Sequence, residues 1–117
     1  MKRLFIGLTL LTYINVFASQ QPVSISRGFF TGKEYFDMSE TEKRAYITGA
    51  INGMLVSPLF GAPEDGVAWL KTCTVKLSDE ESAAILSKYI GNDPNQLTLS
   101  LNVVTFNALK DACNKMK

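Results

Sequence analysis

Three times in this chain a serine or threonine stands three residues ahead of a glutamate: Thr31 and Glu34, Ser39 and Glu42, Ser78 and Glu81. In this pattern the hydroxyl accepts a hydrogen bond from an early N–H of a new helix, and the glutamate reaches back to the cap's own N–H. Each pair therefore fixes where a helix begins. The second pair opens the stretch that organises the rest, Ser39 to Val56. Acidic residues in its first turn suit the helix dipole. Ile47, Ile51, Met54 and Leu55 recur at helical spacing and predict a buried stripe. Gly49 and Gly53 share a face, and each costs about 1 kcal/mol relative to alanine in a helix interior. The expected compensation is close approach of another helix; a dimer face is the alternative. Pro58 ends the helix near Ser57, because it disfavours helical geometry in the residue before it.

The other signals are also helical. Thr31-Gly32-Lys33-Glu34 opens a short helix through Tyr35 and Phe36, and Phe29 and Phe30 before it are expected to reach the core. The helix opened by Ser78 carries Ala83, Leu86, Tyr89 and Ile90 and is expected to end at Gly91, with a turn over Asn92–Gln96. A last helix spans Ser100 to Lys115, with Val103, Phe106, Leu109 and Cys113 along one side. Val75 and Leu77 alternate with polar residues and allow a brief extended piece. The fold expected is all-α: three main helices and one short helix in a small bundle, stapled by one disulfide between Cys73 and Cys113.

The chain begins with Lys2 and Arg3, then a mostly apolar run from Leu4 to Val16, then small residues ending at Ala18. This pattern is that of a secretory signal peptide, residues 1–18, cut after Ala18. Residues 19–27 are polar and read as a loosely held arm, and residues 28–117 as one domain. Removal of the leader leaves 99 of the 117 residues, with ten cations against eleven acids. A near-neutral domain without a basic stripe is a poor partner for nucleic acid. No later apolar run is long enough to span a membrane. Export to an oxidising compartment favours pairing of Cys73 with Cys113. Closing that loop stabilises the fold by about 4 kcal/mol on a chain-entropy reckoning.

The longest stretch without a clear element is Ser57 to Thr72, SPLFGAPEDGVAWLKT. Only a short helical turn over Pro63–Leu70 is expected within it. Long loops in compact domains are often functional. Interface cores favour buried aromatics, so Phe60, Glu64, Asp65 and Trp69 are the candidate partner-binding residues. For Trp69 the alternative is that it folds back onto the core.

Chemistry is otherwise sparse. The chain contains no histidine, which removes the commonest general base and metal ligand. A Ser-His or Cys-His nucleophile pair is impossible within it. The carboxylates at Glu40/Glu42 and Asp79–Glu81 sit at helix starts, where capping accounts for them. Glu64-Asp65 lacks the spaced oxygen ligands of a calcium loop, and no phosphate-cradling glycine pattern occurs. No enzyme, metal or cofactor is expected.

Several pieces together resemble the Rap/Tai-type immunity proteins of bacterial type VI secretion. They are Thr31-Gly32 opening a short helix, Tyr46-Ile47-x-Gly49 with Gly53, and Cys73 ahead of Ser78. Lys88-Tyr89-Ile90 followed by Pro94, and Ala108-Leu109 before Cys113, complete the series. They span roughly Phe29 to Cys113. Members often carry a further cysteine before the central tyrosine, where Arg44 and Ala45 stand here, and prolines beside the cysteines, where Thr74 and Ala112 stand. The resemblance implies a periplasmic, non-enzymatic helical protein that binds a toxin, a peptidoglycan-cleaving amidase, and occludes its active-site cleft. It also implies a possible homodimer. Two other readings stay open: an acid-stress chaperone, and an accessory module with a stable envelope partner.

Overall fold

A computed structural model describes residues 29–117. The leader and the arm expected at residues 1–18 and 19–27 lie outside the described residues. Five α-helices follow one another: α1 (Gly32–Asp37), α2 (Glu40–Leu55), α3 (Asp65–Thr74), α4 (Asp79–Asn92) and α5 (Leu101–Lys115). Two 3₁₀ turns, Ser57–Phe60 and Pro94–Thr98, join α2 to α3 and α4 to α5. All three capping boxes form. The N–H groups of Thr31, Ser39 and Ser78 donate to Glu34, Glu42 and Glu81 at 2.8, 2.7 and 2.7 Å. The bundle is all-α; extended pairing among the described residues is limited to one isolated antiparallel bridge, Thr31 to Ser100.

Between α2 and α4 the chain is more ordered than its sequence announces. The helical turn expected at Pro63–Leu70 extends to a ten-residue helix, α3, that carries Cys73 in its last turn. It opens without a side-chain cap, since Glu64 is itself helical. Its start therefore lacks the signal that marks the other helices. Val75–Leu77 is a turn rather than an extended piece, with Lys76 N–H donating to the Cys73 carbonyl at 3.1 Å. α4 does not stop at Gly91 but runs through it to Asn92. The stop comes from Pro94, which holds Asp93 extended at φ −140° and ψ 106°.

The core gathers Tyr35 from α1, Ile47 from α2 and Leu70 from α3. α4 supplies Leu86 and Ile90, and α5 supplies Leu101, Val104 and Leu109. α4 is the central member, packed against both α2 and α5, while α3 lies against α2 and α5. Ile51, Met54 and Leu55 are half-buried beside Ile47 and complete the expected α2 stripe. On α5 the buried line is Leu101, Val104, Thr105, Ala108, Leu109 and Cys113. Val103, expected on it, is 51 % exposed. Two adjacent valines offer the periodicity a choice of face, and Val104 is the one that falls in line with Leu101 and Ala108.

Two further expectations are corrected. Phe29 and Phe30 do not reach the core and are more than half exposed. Among the described residues no helix packs on Gly49 or Gly53, for a Cβ added at either would meet nothing within 4 Å. Close approach occurs instead at Gly32, where a Cβ would collide with the Gln96 carbonyl. That contact lets α1 lie directly on the 3₁₀ turn Pro94–Thr98. Asp93 stiffens the same turn, accepting from Asn95 N–H at 3.0 Å and from the Gln96 amide at 2.9 Å.

Tyr35 fastens α1 to α4. It is fully buried, and its hydroxyl donates to the Ala83 carbonyl at 2.9 Å while accepting from Ser87 Oγ at 3.4 Å. Burial pushes the phenol above its ordinary pKa of 10.0, and Tyr46 is raised for the same reason. A raised acid favours its neutral form in the folded state. The stability it contributes is complete below pH 10 and is lost as pH climbs through the folded value. Alkaline titration followed by circular dichroism should show unfolding begin above pH 10, and Tyr35→Phe should blunt that loss. The same variant should cost about 1–3 kcal/mol at neutral pH, because its hydrogen-bonding partners stay buried. Gly49→Ala and Gly53→Ala should each raise stability by roughly 0.5–1 kcal/mol in urea unfolding. Gly32→Ala should lower it by about 1–3 kcal/mol through overpacking.

Candidate functional site

The candidate residues cluster where α2 gives way to α3. Beyond Leu55 several main-chain groups bond back to the chain just before them. Val56 N–H donates to the Asn52 carbonyl at 3.1 Å, and Ser57 Oγ donates to the Met54 carbonyl at 2.6 Å. Gly61 N–H and Ala62 N–H then donate to the carbonyls of Pro58 and Ser57, each at 3.2 Å. Gly61 makes the reversal at φ +99°, a left-handed conformation open to glycine at little steric cost. The result is a closed tip whose conformation is held by its own main chain.

The tip presents apolar side chains outward. Leu59 is 83 % and Phe60 85 % exposed, and Val56 beside them is also exposed. Glu64 and Asp65 follow at the start of α3, both in solvent. The structure therefore brings Phe60, Glu64 and Asp65 to one exposed connection. Trp69 is placed differently. It is partly buried against the core, its ring edge-on to Phe106 at 5.6 Å, and its Nε1–H donates to the Gly66 carbonyl at 2.7 Å. It anchors α3 to α5 and closes the first turns of α3 on themselves. Leu59 takes its place as a contact candidate. The available sequence signal for Leu59 was its position between Pro58 and Gly61, where neither helical stripe extends to bury it.

The Cys73–Cys113 disulfide forms and links the last turn of α3 to α5. Both cysteines are buried, and the described residues hold no free thiol. No group of three His, Cys, Asp or Glu side chains among the described residues could hold a metal ion. No helix among them is long and apolar enough to cross a membrane. What the tip offers is shape, apolar area and negative charge on a rigid base, which are the means of recognition between proteins.

Because α3 itself buries only Leu70 and Cys73 fully, the staple should govern the tip more than the rest of the bundle. The Cys73→Ser/Cys113→Ser double variant should lose about 4 kcal/mol in urea unfolding. Hydrogen exchange should show residues 57–76 opening before α2, α4 and α5. Compared with protein-family models, with curated proteins and with solved structures, the chain matches none of them.

Proposed function

We propose that this protein is an exported immunity protein, and that the tip at residues 56–65 enters and blocks the active-site cleft of a toxin. The toxin class that fits the family resemblance is a peptidoglycan-cleaving amidase, met in the periplasm. The observation that supports this reading most directly is the pair Leu59-Phe60, almost wholly exposed on a connection whose backbone is internally bonded. Ordering a flexible loop on binding costs affinity, and a tip already fixed avoids that cost. A buried aromatic ringed by polar groups is a common centre of binding energy. Phe60, exposed here and followed along the chain by Glu64 and Asp65, takes that form once a partner covers it. The carboxylates suit a cleft lined by cationic or hydrogen-bond-donating groups. The disulfide is compatible with an oxidising compartment. In this reading the protein performs no chemistry of its own.

Protection is the test. The full chain with its leader is expressed in a sensitive bacterium while amidase toxins are directed to the periplasm. Neutralisation of one toxin is the expected outcome, with a complex recoverable at 1:1 or higher order. Within that complex Phe60→Ala should weaken binding by about 2 kcal/mol or more, as expected of a central aromatic anchor. Glu64→Gln and Asp65→Asn should cost less and mainly slow association. Trp69→Ala should instead lower folding stability. No protection from a folded, abundant protein would overturn the immunity reading, and the accessory envelope module would replace it.

A further inference from the structure

The chain carries a second exposed apolar surface, at the other end of α2 from the tip. A groove of about 520 Å³ runs between α1 and the first half of α2. Its apolar walls are Phe30, Met38, Ala45 and Tyr46, and its ionisable rim consists of Glu34, Asp37 and Glu42. Phe30 is 54 % exposed and meets Tyr46 edge-on at 6.4 Å. Phe29, its neighbour in the chain, is also exposed. From Ala45 to Leu55 the helix rises about 15 Å, so the groove and the tip are separate surfaces.

The charge around the groove has one sign. Among the described residues three acids line it and no lysine or arginine does. The two cations of α2, Lys43 and Arg44, are both engaged elsewhere. Arg44 Nε lies 3.7 Å from Asp79. The Lys43 ammonium lies 3.2 Å from Glu40 and 5.6 and 5.8 Å from the ring centres of Tyr35 and Phe36. Two of the rim acids are also fixed in place. Glu34 and Glu42 each use Oε2 in a capping box, while Oε1 of each makes no hydrogen bond with another described residue. The groove thus combines aromatic walls, which attract cations over their faces, with pre-positioned carboxylates that form charge-assisted hydrogen bonds to guanidinium or ammonium.

We propose that this groove is a docking site for a peptide segment of a partner protein, one carrying arginine or lysine flanked by aliphatic side chains. The aliphatic groups cover Phe30, Met38 and Ala45, and the cation reaches the rim between Asp37 and the free oxygens of Glu34 and Glu42. The inference rests on the groove alone and stands whether or not the tip blocks an amidase.

The experiment is a titration of the isotope-labelled secreted chain with two synthetic peptides, Leu-Arg-Leu-Arg-Leu and Leu-Glu-Leu-Glu-Leu, both with blocked ends, followed by amide chemical shifts. The arginine peptide is expected to shift residues 30–46 and to weaken with added salt; the glutamate peptide is expected not to bind. Asp37→Asn should reduce affinity about two- to fivefold, the range of an exposed ion pair. Ala45→Arg places a bulky cation in the groove at an exposed helical position and should reduce affinity by at least about tenfold. Equal binding of both peptides, shifts confined to residues 56–65, or full affinity in a folded Ala45→Arg variant would overturn the proposal. So would a dimer in sedimentation that Ala45→Arg dissolves, which makes a second copy the occupant. A rise in peptide affinity on deleting residues 19–27 would assign the groove to the chain's own arm and overturn it equally.

Discussion

The covalent bond between Cys73 and Cys113 is the constraint on which the candidate site depends. α3 is ten residues long and buries only Leu70 and Cys73 completely. It begins without a side-chain cap and carries Gly66 in its first turn. An isolated helix of that length is marginal in water even with favourable residues. Besides the burial of Leu70 and packing on α2, two contacts tie it to α5: the disulfide and the edge-on packing of Trp69 on Phe106. The buried line of α5 is continuous from Leu101 to Cys113. The tip between α2 and α3 is therefore held at one end by α2 and at the other through α5. The residues that fix it, Trp69 and Cys113, are not those that present the exposed surface.

The N-terminal half is held in a different way. α1 has six residues and one fully buried large side chain, Tyr35. Its hydroxyl crosses to the Ala83 carbonyl on α4, and Gly32 permits backbone contact with Gln96. Main-chain pairing adds to this, with Leu101 N–H donating to the Phe30 carbonyl at the start of α5. A buried polar group is costly unless satisfied, so the Tyr35 bond works as a register pin as much as a source of stability. If α1 shifts by one residue, the hydroxyl is left buried without its acceptor. The same positioning sets Phe30 beside Tyr46 and so forms the groove at the start of α2.

Local signals were legible in the sequence, and signals that depend on a neighbour were not. The capping boxes at Thr31, Ser39 and Ser78 involve residues three apart, and all three helix starts fall where those residues predict. The cysteine pairing was legible because two cysteines leave one choice of partner. α3 was not, since prolines and glycines around Gly61 and Gly66 read as irregular chain and no cap marks its start. The glycines of α2 misled for a related reason. Spacing shows that Gly49 and Gly53 share a face, but it does not show whether anything faces them; here solvent does. Of the candidate residues, Phe60, Glu64 and Asp65 were singled out from composition, and the structure leaves all three exposed. Trp69 required the position of Phe106, which lies far away in sequence and adjacent in space.

The exposed apolar residues are not spread evenly, and their distribution bears on function. A small domain always shows some apolar area, and single exposed side chains need no explanation. Leu59 and Phe60 are different. They are consecutive, both more than four-fifths exposed, and carried on a turn whose main-chain bonds leave it little freedom to fold them inward. A mobile loop can hide such a pair transiently against its own base, whereas this one holds both in water. The cost of hydrating them is borne in the free protein and is recovered only when another surface covers them. A binding surface that is rigid and already apolar gains affinity from that recovered hydration without a matching loss of chain entropy. The order of the tip and the exposure of its side chains therefore act together, since neither alone favours tight binding.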